Sequence, residues 1–147
     1  MTADLAGPIW DAVRRNVEAA WRNDLDAYRA TTAADVSVYE WYVAPARIDG
    51  LDFHLRELQA ARQTAAPAGY AFELEFLQPR LQCYGAAAIA TYTLLTREIT
   101  PAGVTRKASH ETRVFHNFGS EAAPEWKLVH CHKSPVVTPA SRAVLQE

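Results

Sequence analysis

Cysteine is scarce: Cys83 and Cys131 are the two in a chain of 147 residues, and no Cys-X-X-Cys occurs. Two thiols cannot build a disulfide scaffold. A domain of this size buries roughly 68–70% of the surface its unfolded chain exposes, so it needs neither disulfide nor metal to hold together. Long apolar runs are missing too, with none near the roughly 20 residues a membrane helix requires. The opening "MTADLAGPIW" has no basic segment leading into an apolar one, so no secretory signal is read. Net charge is only −2 with no block of like charges, which argues against non-specific nucleic-acid binding. Repeats and low-complexity linkers are absent. With 49% hydrophobic and 22% charged residues, the expectation is one soluble, cytoplasmic domain over 1–147, with no nucleic-acid or membrane partner.

The apolar pattern begins helical. Trp10, Val13, Val17, Ala20 and Trp21 recur at three- and four-residue spacing and predict a helix over 9–22, with Pro8 suited to its first turn. Asn23 and Asp24 stop it and cap a short helix in "LDAYRATTA". "DVSVYEWYV" predicts a strand at 36–43, and Asp49-Gly50 a turn. A third helix, about 51–64, places Leu51, His54, Leu55, Leu58 and Ala61 on one stripe, so His54 points to the core. From Tyr70 the period becomes two. "YAFELEFL" is interrupted by Pro79, the short run "RLQCYG" follows, and three long strands come near 87–99, 104–118 and 125–133. Helices first and antiparallel strands last predict an α+β fold, with helices over one face of a curved, mainly antiparallel sheet.

Chemistry concentrates in the last two strands. Strand parity puts Arg113 on one face with Ser109, Glu111 and Phe115. His130 and His132 share a face, His110 and His116 have the parity of a neighbouring one, and Cys131 points the other way, inward. Neutral imidazoles ligate metals, but no carboxylate or third histidine stands at matching spacing, so neither metal nor cofactor is expected. A cysteine beside histidine can be a nucleophile, although buried cysteines are usually inert packing. The four tryptophans, Trp10, Trp21, Trp41 and Trp126, suit core and interface.

Several motifs then fall in order. "ETRVFH" and "WKLVHCHKSP" resemble the Glu-Thr-Arg-Val-Trp-His and Trp-x-x-Val-His-x-His signatures of the association (hub) domain of calcium/calmodulin-dependent protein kinase II. "IDGLDFH" is similar to the hub's Val-Glu-Gly-hydrophobic-Asp-Phe-His, and "NDLDAYRATTAADVSVYE" to its Asn-Gly-Asp-Phe-Glu-Ala-Tyr segment and the strand after it. The resemblance runs from Ile9 to about Pro135, with a longer loop at "NFGSEAAPE". It implies the cone fold shared with nuclear transport factor, ketosteroid isomerase and SnoaL-like proteins. It also implies pairing through the sheet into a dimer or larger ring, and a pocket lined by cationic side chains that takes small carboxylates. No Gly-rich phosphate loop, His-Arg-Asp or Asp-Phe-Gly is present, so a free-standing relative of the kind found in bacteria is implied.

Residue by residue, the resemblance places Arg113, Lys133 and His54 at the pocket with Glu111 beside them. Thr93 stands where the hub pattern has an arginine. His130, His132, His116 and Trp126 fall at the oligomer interface. Each has a plainer reading. Arg113 can form a structural ion pair with Glu111 or Glu40, Lys133 can be a solvated strand-end lysine, and His54 a satisfied core histidine. The rival function is an isomerase-type enzyme, with Glu40 or Glu111 as base and Tyr42, Tyr92 or His54 as donor. Arg113 nearby argues against it, because a cation weakens a carboxylate base. A third reading is a partner protein bound through a loosely held tail over 136–147.

Overall fold

A computed structural model of the chain describes residues 7–62 and 71–137. Tyr70, the end of the expected third helix and most of the expected tail lie outside the described residues. The elements are α1 (Pro8–Arg22), α2 (Leu25–Ala30), β1 (Thr32–Glu40), β2 (Ile48–Asp49), α3 (Leu51–Arg62), β3 (Ala71–Tyr84), β4 (Ala87–Thr100), β5 (Gly103–Asn117) and β6 (Trp126–Pro135). Helices lead and strands follow, as the change of apolar period predicts.

Local chemistry sets the helix ends. Pro8 opens α1, where its missing N–H costs nothing, and Asn23 closes it in the left-handed region at φ 57°. Asp24 caps α2 by accepting the Ala27 N–H at 3.0 Å. Gly50 takes φ 91°, a value that disfavours side chains, and α3 starts at the next residue. The stripes bury Trp10, Val13 and Val17 of α1 and Leu51, His54, Leu55 and Leu58 of α3.

The sheet order is β2-β1-β6-β5-β4-β3. Only β1 and β6 run parallel; the other neighbouring pairs are antiparallel. Alternation gives it an inner face of Val38, Ala88, Ala90, Leu94, Phe115, Leu128 and Cys131, all buried in one core with residues of all three helices. Apolar burial of this kind contributes about 25 cal/mol per Å² and is the main driving force for the fold.

Two irregularities break the alternation. Gln78 and Pro79 together oppose one residue of β4, with Gln78 at φ 49°. Pro79 therefore does not divide the segment into two strands. It sits in a bulge of the edge strand β3, where its missing donor is tolerated. The inward set shifts from Phe72, which packs on Trp21 of α1, Leu74 and Phe76 to Leu81 and Cys83. A second bulge lies in β6, where Val114 pairs with His130 but Phe115 with Leu128. The β5–β6 connection is held by Asn117, whose Oδ1 accepts the Gly119 and Glu125 N–H groups at 2.9 and 2.8 Å. At Gly119 a Cβ would overlap the Ala123 carbonyl oxygen, so the loop requires glycine there.

Candidate functional site

Four strands bring one polar row together. Glu40 of β1, Lys133 of β6, Glu111 of β5 and Tyr92 of β4 are register partners across the sheet, and Arg113 stands two residues from Glu111. All are buried, at 5% exposure or less. Ala90 is directly opposite Arg113, and its small side chain leaves the guanidinium room on the inner face.

The contacts are specific. Lys133 Nζ lies 2.8 Å from Glu40 Oε1 and 3.9 Å from Glu111 Oε1. Arg113 Nε donates to Tyr92 Oη at 2.8 Å and to Glu111 Oε2 at 3.2 Å, and its Nη1 donates to Asn16 Oδ1 at 2.6 Å. Tyr92 donates to Glu111 Oε2 at 2.8 Å. Asn16 passes its own amide protons to Thr31 and Thr32. His54, fully buried on α3, lies between Tyr28 Oη at 3.2 Å and Glu40 Oε2 at 3.4 Å. Among the described residues every buried side-chain nitrogen and oxygen has a partner, as a low-dielectric interior requires.

Electrostatics follows from the pairing. Burial alone would raise the Glu40 pKa, but Lys133 and the His54 hydrogen bond outweigh it and hold the carboxyl well below the usual range. Glu111 is likewise lowered against its burial, by Lys133 and Arg113. Burial works against the charge of Lys133, yet Glu40, Tyr42 and Glu111 raise its pKa well above the ordinary lysine value. Burial pushes the Cys131 thiol up to about 11, so it is packing and a poor nucleophile. The Tyr28 and Tyr92 hydroxyls are also raised by burial and stay protonated.

Of the residues singled out from sequence, His54, Glu111, Arg113 and Lys133 converge in this cluster, with Glu40 and Tyr92. The two cations do not stand alone there, because each has a carboxylate. Thr93 is not among them. Parity turns it outward, where its Oγ1 meets His110 Nδ1 at 2.9 Å, and the inward residue is its neighbour Tyr92. His130 and His132 lie on the outer face with Tyr39, whose ring centre is 5.0 Å from that of His132. His116 also points outward and packs on Phe118. Trp126 does not join them, because the bulge at Val129 carries it to the core side, half-buried against the inner cluster. Asn16 and Tyr28 went unread in the sequence. Asn16 could have been found, because a polar residue between Val13 and Val17 lies inside the apolar stripe of α1.

Comparison with known proteins agrees with this fold. The family model for the calcium/calmodulin dependent protein kinase II association domain matches residues 6–137. The CaMKII hub of S. rosetta is 26% identical, with a TM-score of 0.71 over 89% of this chain and 98% of that one. The CamKII hub homology domain of Chlamydamonas reinhardtii is 20% identical, with a TM-score of 0.76 over 91% and 100%. A nuclear transport factor 2-like superfamily protein of Salmonella enterica is similar in fold, at 14% identity and a TM-score of 0.67 over 88% and 89%. No curated protein matches the chain in sequence.

Proposed function

Because the chain belongs to the calcium/calmodulin-dependent protein kinase II association-domain family, we propose that it is a self-associating module: its outer sheet face meets a second copy, and its inner cluster holds a small carboxylate. The outer face supports the first half. Tyr39 is 39% exposed, and His110, Thr112 and His132 are exposed around it on central strands. Outward positions at Ser37, Tyr39, Thr91, Thr93, His110, Thr112, Val114, His130 and His132 carry no Asp, Glu, Lys or Arg. A sheet face that remains in water commonly carries such charges, whereas aromatic residues without them mark interfaces. A dimer is the smallest closed form, and rings extend the same logic.

The second half rests on cost. Replacing buried ion pairs by apolar residues is often neutral or stabilising, so four buried charges are weak evidence for stability alone. The charges of Glu40, Glu111, Lys133 and Arg113 cancel, so an entering carboxylate adds one negative charge, which the Lys133 ammonium is placed to meet. His54 faces Tyr28 of α2 and Glu40 of β1. The enzyme alternative is disfavoured, because cations hold both Glu40 and Glu111 in the ionised, weakly basic state.

Sedimentation velocity at micromolar concentration tests the assembly. A dimer or larger species is expected, and Tyr39→Glu with His132→Glu should give a folded monomer. A monomeric parent protein would overturn this half. Calorimetry with propionate tests the other. Binding should be lost in Lys133→Met, and persistence there would remove the ligand reading without touching the assembly.

A further inference from the structure

Most of the inner cluster is sealed by other buried groups. Arg113 has its donors on Tyr92, Glu111 and Asn16, and His54 lies between Tyr28 and Glu40. Lys133 differs. Besides its ion pair with Glu40, its ammonium donates to Tyr42 Oη at 3.1 Å. Tyr42 is 51% exposed, whereas Lys133 is 5% exposed. Half-buried Ser109, on Glu111 at 3.2 Å, marks the same open end of the row. Among the described residues Tyr42 is thus the exposed side chain whose polar atom reaches the cluster.

Tyr42 lies just beyond the end of β1, in a turn closed by the Val43 and Ala44 N–H groups on the Glu40 carbonyl at 3.0 and 3.1 Å. Its ring has an edge contact with Trp41, at 5.0 Å between centres, and Trp41 is itself 45% exposed. The ammonium also lies 5.6 Å from the Tyr42 ring centre, a cation–π distance. The phenol therefore meets Lys133 end-on through its oxygen: the hydroxyl end is desolvated by burial, while half of the residue is open to solvent.

We infer that Tyr42 is a displaceable lid on Lys133, whose hydroxyl occupies the hydrogen-bond position a ligand oxygen takes on binding. It thereby sets affinity and selects for ligands with an oxygen acceptor. This rests on the reading of the inner cluster as a ligand site. A ligand without an acceptor cannot replace the phenol, because it would leave a buried ammonium short of a partner. A carboxylate, or a neutral carbonyl or hydroxyl, can.

Calorimetry with propionate on the parent protein, Tyr42→Phe and Lys133→Met separates the possibilities. Tyr42→Phe removes the competing oxygen and keeps the ring, so propionate should bind about tenfold tighter, the scale of one hydrogen bond to a charged group. Binding detectable only in Tyr42→Phe also supports the lid. Trp41 emission should change on propionate addition to the parent protein, and Trp41→Phe should abolish that change. A Tyr42→Phe affinity equal to or weaker than the parent's overturns the lid, while loss of binding in Lys133→Met would still uphold the ligand site. Propionate binding to neither the parent protein nor Tyr42→Phe overturns both. Circular dichroism and a melting curve confirm that each variant is folded.

Discussion

The two faces of β1, β5 and β6 both carry polar side chains, yet they treat polarity in opposite ways. Inward, Glu40, Glu111, Arg113 and Lys133 are charged, dry and paired with one another at 2.8 to 3.2 Å. Outward, His110, His130 and His132 are partners of Thr93, Ser37 and Tyr39, with solvent near at hand. Charge placed where water is absent commits each group to a partner. Imidazole placed where water is present keeps a face that another surface can desolvate at small cost. One pleat can therefore serve a fixed interior site and an adjustable exterior contact.

The largest effect should come from unpairing the inner face. Lys133→Met leaves Glu40 buried without its counter-ion, and denaturant unfolding should show a loss of about 3–5 kcal/mol. Combining it with Glu40→Gln removes the stranded charge, so the double variant should recover much of that loss. If the single variant unfolds like the parent protein, Glu40 and Lys133 are not a closed pair. An equivalent outer change, Thr93→Val, should stay within about 0.5 kcal/mol in the monomer.

Acid should separate the faces next. The folded-state pKa of Glu40 is depressed below its ordinary 4.5, and Glu111 is lowered too. Each contributes stability that is fully present above its unfolded value and is lost as pH falls below about 4.5. Lys133 has the opposite sense. Its raised pKa contributes stability below its ordinary 10.5 that is lost as pH climbs through the higher folded value. Thermal melts of Glu40→Gln should show a shallower acid limb than the parent protein, and equal slopes would contradict the depressed Glu40.

The element order and most of the inner face were legible in the sequence because they depend on period alone. Arg113 with Glu111, Cys131 with Lys133, and His54 on the α3 stripe all follow from counting by two or by three and four. Counting fails where the backbone adds a residue. The bulge at Val129 turns Trp126 inward, away from His130, and that at Gln78–Pro79 joins two expected runs into one strand. Thr93, expected at the pocket, faces outward by strand parity and meets His110, and its inward neighbour Tyr92 is the residue that meets Arg113. Tyr28 depends on a tertiary approach of α2 to α3 that a local pattern does not contain.

The smallest effect belongs to the outer imidazoles and concerns assembly. Burial, then the neighbouring His132, lowers the His130 pKa from 6.5, while the hydrogen bond to Ser37 partly opposes this. Around it stand Ser37 and Tyr39 of β1, His132 of β6, Val114 of β5 and the more distant Arg47. The carboxylate nearest in register, Asp49 across Ser37, is already paired with Arg47 at 2.7 Å. A second copy laid over this face would desolvate the ring further, so the assembled state favours the uncharged form. The assembly should be fully stable above the ring's pKa in the free protomer and weaken as pH drops below it. Sedimentation equilibrium from about pH 7.5 to about pH 5.5 should show the dissociation constant rising about tenfold for one linked proton. His130→Gln with His132→Gln should flatten that rise. A flat profile in the parent protein would place the pairing surface away from these strands, and the two faces would then no longer be a site and an interface.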